Sequence, residues 1–143
     1  MQTAKIVRQG VLAFFCGVAG NAAVAEVVVV VSAKSPITAL GANHVANIFL
    51  GKTLTDPNGN VVVPLDQSEG AVVRKEFYAK VARKSPALLK AHWSKLLFTG
   101  RGQPPRELAN VRALKAAIAD NPAFIGYLDK SEIDDSVKVV LVP

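Results

Sequence analysis

The sequence predicts an α/β fold in which a small parallel or mixed sheet is flanked by helices. Apolar segments with strand character alternate with segments of helical periodicity, as expected for strands joined by helical connections. Residues 26–32 contain five consecutive valines, and such an unbroken β-branched run is typical of a parallel-sheet strand covered on both faces. The 118 residues at positions 26–143 are enough for one domain with a single core.

Residues 1–25 have the pattern of a cleavable signal peptide. Lys5 and Arg8 give a positive start, residues 11–20 are apolar or small, and Ala23-Val24-Ala25 offers the small-x-small cleavage site. The apolar stretch is shorter than the roughly 20 residues of a membrane-spanning helix. The alternative, a buried N-terminal helix, is disfavoured by the glycines in this stretch. We therefore expect an exported protein, periplasmic or secreted, whose mature chain begins at Glu26.

The composition of the mature chain excludes several classes of site. Its 15 basic and 11 acidic side chains give a net charge of about +4. These charges could be ordinary solvated surface groups, or they could form a basic face that meets an anion, an acidic partner or a membrane surface. Cys16 lies in the predicted leader, so disulfides, thiolate metal sites and a Cys nucleophile are not expected. His44 and His92 are far apart in sequence, which argues against a metal site. We expect no cofactor and no nucleic-acid partner.

The first half of the mature chain predicts two strands and two helices. After the valine strand, a helix is predicted over residues 42–50, with Gly51 as its stop. Residues 61–65 predict a second strand, and residues 66–70 predict a loop that enters a helix over residues 72–82.

The second half predicts two more helices and two more strands. Ser85 and Pro86 are predicted to begin a helix that runs to about Leu97. A flexible loop is predicted at residues 99–103, and Pro104-Pro105 is predicted to open a helix that runs to about Ala119. Residues 124–128 and 137–142 predict the last two strands.

Several of these segments resemble one family in their order. Residues 47–52, Asn-Ile-Phe-Leu-Gly-Lys, resemble the "IF-x-G-K" segment of type 2 periplasmic substrate-binding proteins of the phosphate ABC transporter class. The segments that follow come in the family's order: a strand, a helix with Phe77, then Trp93 and a Gly-rich loop. The last is Ile125-Gly126-Tyr127, which is similar to the family's "IGY" strand. The resemblance implies a single lobe of a fold that normally has two, with the ligand held between them.

The resemblance also implies where a ligand would bind. Phosphate binders of this class hold the oxyanion with a Ser-Gly-Thr at a helix N-terminus, where this chain has Glu69-Gly70-Ala71. The candidate ligand-binding residues are Gln67, Ser68, Glu69, Gly70 and Arg74. A like charge such as that of Glu69 at 4 Å costs on the order of 4 kcal/mol, about half of a micromolar binding energy of roughly 8 kcal/mol.

Each candidate also has a purely structural interpretation. Ser68 or Glu69 could cap the helix that follows, and Arg74 could pair with Glu69 or Asp66. The loop at residues 99–103 could be an anion-binding nest with Arg101, or an ordinary surface loop. Trp93 is expected in the core, and His92 on the surface.

Two functions from different classes follow from these observations. The first is an exported module that binds phosphate or another small anion in ABC transport; the sequence has none of the common catalytic motifs, and we do not expect an enzyme. The second is an interaction protein that has lost small-ligand binding and docks a membrane or periplasmic protein. Pairing of two copies into a homodimer would rebuild a two-lobed cleft and is a third possibility.

Overall fold

A computed structural model describes residues 25–143, and the predicted leader lies outside these residues except for Ala25. Five strands form one mixed sheet in the order β3-β2-β4-β1-β5. The strands are β1 (Val27–Ser32), β2 (Val63–Gln67), β3 (Arg106–Leu108), β4 (Phe124–Asp129) and β5 (Val137–Leu141). Within residues 25–143 no helix has both the length and the apolar character that crossing a membrane would require.

Helices cover both faces of this sheet. They are α1 (Ala42–Phe49), α2 (Val72–Phe77), α3 (Pro86–Phe98) and α4 (Val111–Asp120), and α2 continues into a π-helical turn (Tyr78–Ala82). The side chain of Ser85 accepts a hydrogen bond from the amide of Leu88 at 3.2 Å, as expected for the cap before Pro86. The predicted α/β class, with a small mixed sheet and flanking helices, is confirmed.

The direction of the valine strand differs from the prediction. β1 pairs antiparallel with both β4 and β5, whereas β2 pairs parallel with β3 and β4. All six residues of β1 are buried. The prediction that the valine strand is covered on both faces is therefore correct. Burial, however, carries no information about the direction of the neighbouring strands.

The core consists of two layers, one on each face of the sheet. On one face, Phe49, Phe77 and Tyr127 pack together, and the rings of Phe77 and Tyr127 stack with centroids 4.0 Å apart. On the other face, Leu114 and Ile118 of α4 pack on Val28 and Val30. Alternate valines of β1 thus anchor both layers.

Two predicted boundaries are wrong, and both errors lie near the site. The predicted helix over residues 104–119 is instead strand β3 followed by α4, which begins after Asn110. Because Asn110 accepts a hydrogen bond from the amide of Ala113 at 2.8 Å, it is the N-cap of α4. The predicted strand over residues 61–65 is shifted, since β2 runs from Val63 to Gln67. Asp66 and Gln67 are therefore buried strand residues and not loop residues.

Candidate functional site

The carboxyl ends of the three parallel strands lie at one edge of the sheet. Ligands of open α/β sheets bind at such an edge. Here β2 ends at Gln67, residues 68–70 form a turn, and Ala71 lies at the N-cap of α2. Gly70 has a φ of +92°, which favours glycine because a Cβ would clash with the backbone in that conformation. This β2–α2 turn is the segment that the sequence singled out.

The capping interpretation of the turn is wrong. No side chain accepts a hydrogen bond at the start of α2. The Ser68 hydroxyl instead donates to the carbonyl oxygen of Leu108 at 3.4 Å, and Glu69 is exposed. The backbone amides in the first turn of α2 therefore have no side-chain acceptor.

A buried carboxylate lies directly below the turn. The hydroxyls of Tyr78 and Tyr127 both donate to Asp66, the former at 2.6 Å, and the Gln67 amide donates at 2.9 Å. Burial raises the pKa of the Asp66 carboxyl above its usual value, although the tyrosine hydrogen bonds act in the opposite direction. Burial, followed by the negative charge of Asp66, raises the pKa of both tyrosines, so they remain hydrogen-bond donors.

Arg74 connects this carboxylate to the neighbouring strand. Its Nη1 donates to the Gln67 carbonyl oxygen at 2.9 Å and to Glu107 of β3 at 2.6 Å, while Nη2 lies 4.0 Å from Asp66. The guanidinium also lies 5.7 Å from the centre of the Tyr78 ring. The predicted pairing with Asp66 is present at long range. Glu107 was not foreseen, because residues 106–108 were predicted to be helical.

The five sequence candidates do not all have free functional groups. The Gln67 side-chain amide is buried and donates to the Tyr127 carbonyl oxygen at 2.8 Å. Its NH2 group therefore stabilises the fold. Ser68, Glu69 and Gly70 are exposed on the turn, and Arg74 lies behind them with 17 % of its side chain accessible. The structure therefore brings four of the candidates to one surface and places Gln67 beneath it.

A cavity of about 650 Å³ opens beside the turn, between α2, α3 and the segment leading into β3. It is lined by Glu69, Gly70 and Arg74 from the candidate site. Leu89 and Trp93 of α3 form part of its wall. Trp93 was predicted as a core residue, and both side chains are at least 90 % buried. Helical spacing does not distinguish a core residue from a residue in a cavity wall.

The glycine-rich loop at residues 99–103 ends α3 and does not form an anion-binding nest. The amides of Thr99, Gly100 and Arg101 donate to α3 carbonyl oxygens at 3.1, 3.2 and 2.9 Å. These three amides already donate to the carbonyl oxygens at the C-terminus of α3. The surface-loop interpretation of this segment is the correct one.

Both histidines lie within hydrogen-bond distance of backbone carbonyl oxygens. His92 is half-buried, not exposed as predicted, and its Nε2 lies 2.9 Å from the Leu50 carbonyl oxygen. His44 makes a similar contact, 2.7 Å from Thr55. Among residues 25–143 no cluster of three His, Cys, Asp or Glu side chains could hold a metal ion.

Comparison with known proteins finds likeness in structure and not in sequence. No family model and no curated protein matches the chain. A phosphate-bound structure from Clostridium perfringens, assigned to the phosphate ABC transporter substrate-binding class, matches with a TM-score of 0.63 and 22 % identity, covering 81 % of this chain and 44 % of that one. An ABC-type phosphate transport receptor from Vibrio cholerae matches with a TM-score of 0.63 and 15 % identity, covering 81 % and 45 %.

A third structure gives the same result. PstS from Borrelia burgdorferi matches with a TM-score of 0.60 and 11 % identity, covering 81 % of this chain and 46 % of that one. The chain therefore spans less than half the length of these transport proteins, and the likeness establishes the fold alone. That fold is the α/β fold of a single lobe of the phosphate ABC transporter substrate-binding proteins.

Proposed function

We propose that this chain is an exported module that binds a small oxyanion of the phosphate class at the β2–α2 turn and delivers it to an ABC transporter. The observation that carries the proposal is the uncapped start of α2 beside Arg74, at the carboxyl edge of the parallel strands. Amides without side-chain acceptors and a guanidinium are the donors that anions prefer. Within residues 25–143, Nε and Nη2 of Arg74 make no hydrogen bond, and Nη2 has only the 4.0 Å contact with Asp66, so both groups can donate to a ligand.

Two nearby acids set the expected affinity. Glu69 is on the turn and Glu107 already pairs with Arg74. One like charge at close range costs on the order of 4 kcal/mol, which reduces a micromolar site to about millimolar affinity. We therefore expect weak binding that improves when the charge of Glu69 is removed.

Calorimetric and thermal-shift titration of residues 26–143 with inorganic phosphate tests the proposal. We expect saturable binding that Glu69→Gln strengthens at least about tenfold and Arg74→Gln weakens by a similar factor. Glu132→Gln and Lys34→Gln change exposed charges elsewhere in the fold and are the matched controls. No heat and no stabilisation at tens of millimolar phosphate, in wild type and in Glu69→Gln, would overturn the proposal.

Export by a leader cleaved after Ala25 is part of the same proposal. The start of the proposed mature chain is held to the fold, because the Lys130 amide donates to the Glu26 carbonyl oxygen at 2.8 Å. β1 begins at the next residue, Val27. Intact-mass analysis of the protein recovered from a periplasmic fraction should give a chain starting at Glu26; recovery of the uncleaved chain from the cytoplasm would contradict export.

A further inference from the structure

The cavity beside the turn is much larger than an inorganic oxyanion. Its volume is about 650 Å³, and Glu69, Gly70 and Arg74 belong both to its lining and to the proposed anion site. A tetrahedral oxyanion occupies the room of only about two or three water molecules, at ~30 Å³ each. A phosphate at the turn would therefore leave most of this space for another part of the ligand.

The walls of the cavity suit an apolar group. Tyr78, Leu89 and Trp93 line it and are all at least 90 % buried, and Pro104 closes it from the segment before β3. Cavities of about 300–1,000 Å³ with largely apolar walls and a few polar groups are typical of sites for organic ligands. The space is therefore suited to an organic group, most of all a flat one that can pack on Trp93.

The charges in the lining suit an anion. Lys75, Lys84 and Lys90 line the cavity, and in the described part of the chain no carboxylate lies within 4.0 Å of their Nζ atoms. Two of the three acids in the lining have cationic partners, Glu107 with Arg74 at 2.6 Å and Glu76 with Lys80 at 3.6 Å. The unpaired charge in the cavity is therefore mainly positive.

We infer that the ligand is an organic phosphate, a phosphomonoester whose phosphate binds at the turn beside Arg74 and whose apolar group fills the cavity against Leu89 and Trp93. This inference rests on the proposed oxyanion site and specifies the class of ligand that the site accepts. The lysines at the cavity add attraction for the doubly charged phosphate.

The chain carries its own reporter for this inference. Trp93 is the only tryptophan in the sequence and it lines the cavity. Titrations of residues 26–143, followed by tryptophan fluorescence and by calorimetry, should use phenyl phosphate, inorganic phosphate and benzyl alcohol as probes. We expect phenyl phosphate to change the Trp93 emission and to bind at least about tenfold more tightly than inorganic phosphate, because its ring leaves water.

Variants in the cavity lining separate the apolar and ionic contributions. Pro104→Ala and Lys90→Gln both alter exposed lining residues. Pro104→Ala reduces the apolar wall and should lower the ratio of phenyl phosphate to inorganic phosphate affinity at least about threefold, whereas Lys90→Gln removes a cation and should weaken both probes at least about threefold and leave that ratio unchanged. Pro122→Ala and Lys95→Gln alter exposed residues outside the lining and are the matched controls. Circular dichroism verifies that all four variants fold.

The outcomes distinguish this inference from the proposed function. Equal affinity for phenyl phosphate and inorganic phosphate, with no change in Trp93 emission, would overturn the organic-phosphate inference and leave oxyanion binding intact. Binding of benzyl alcohol as tight as that of phenyl phosphate would also overturn it, since the charge would then contribute nothing. Failure of both phosphate probes to bind by calorimetry would overturn the proposed function, and the inference with it.

Discussion

Asp66 connects several elements of the structure beneath the turn. Its carboxylate is 2 % exposed and accepts hydroxyl donors from two different elements, Tyr78 of the π-helical turn and Tyr127 of β4. Arg74 adds a guanidinium at 4.0 Å. A buried carboxylate is tolerated only when such partners replace its hydration. The floor of the candidate site therefore depends on this one side chain.

Replacing Asp66 with asparagine should destabilise the fold. The amide has only one acceptor oxygen for the two tyrosine hydroxyls, so one buried donor loses its partner at a cost of about 1–3 kcal/mol. Urea unfolding of Asp66→Asn against wild type measures this cost. Asp135→Asn changes an exposed aspartate and is the control; equal unfolding free energies for the two variants would contradict the assigned role.

The pKa of Asp66 gives the effect of this substitution a definite pH dependence. Because burial raises the carboxyl pKa in the folded state, the native protein binds more protons than the unfolded chain just above the unfolded value of 3.8. The stability contributed by Asp66 therefore falls as pH rises through the window between the unfolded and the folded pKa. We expect the destabilisation by Asp66→Asn to be larger near pH 4 than at pH 7, measured by urea unfolding at both; a larger loss at pH 7 would reverse the sign assigned to the shift.

At the scale of elements, α4 packs closely on β4 at a glycine. An ideal Cβ on Gly126 of β4 would lie 2.6 Å from Cδ1 of Ile118 and 3.5 Å from Cδ1 of Leu114. Both side chains are fully buried and have little room to move. The absence of a side chain at position 126 therefore sets how closely α4 packs on the sheet.

Substitution of Gly126 with alanine tests this packing. The added methyl group must displace Ile118 in a filled core, and we expect a loss of about 1–2 kcal/mol. Gly102→Ala is the matched control, because its Cβ would make only ordinary contacts of 3.8 Å or more. Thermal unfolding of both variants gives the comparison, and a Gly126→Ala variant as stable as Gly102→Ala would show that α4 is free to shift.

Sequence patterns predicted those elements whose signals are local. The cap at Ser85, the stop near Gly51 and the apolar strands all depend on residues adjacent in the chain, and they were placed within a few residues. β3 was missed because its three residues, Arg106–Leu108, form a strand only by pairing with β2, and the nearby prolines were taken as a helix start. Strand direction was missed for the same reason, since β1 finds its partners near the end of the chain.

The sequence predicted where the candidate site lies, but not the hydrogen bonds and ion pairs that its residues make. Residues 67–70 and 74 do lie around one turn at the carboxyl edge of the sheet. The partners that decide their availability, Tyr127 for Gln67 and Glu107 for Arg74, are 60 and 33 residues away in sequence. No periodicity or motif connects residues at such separations, so only the fold reveals which donors remain free.

At the scale of the whole molecule, charge is unevenly distributed. Residues 71–112, here called the basic segment, contain ten basic and two acidic side chains, whereas the rest of residues 26–143 contains five basic and nine acidic ones. The basic segment runs through α2, α3 and β3. The modest net charge of the chain therefore conceals a strongly positive part, which would attract anions toward the turn.

Ion-exchange chromatography can detect this distribution. Lys95→Gln/Arg101→Gln removes two exposed charges inside the basic segment, and Lys34→Gln/Lys52→Gln removes two exposed charges outside it. The two double variants have the same net charge. If the positive charge were spread evenly over the molecule, both would elute from a cation exchanger at the same salt concentration at neutral pH. We expect the first pair to elute at lower salt, because retention depends on the local field of the basic segment; identical elution would contradict the segregation of charge in the folded molecule.

The position of β1 in the sheet has a consequence for how the chain folds. Val27 pairs with Asp129, so the strand partners of β1 lie roughly a hundred residues further along the chain. Contacts between residues so far apart in sequence form slowly, because a long loop must close. β5, on its other side, follows β4 in residues 25–143. A ribosome must therefore synthesise both β4 and β5 before the first strand can pair on its two sides.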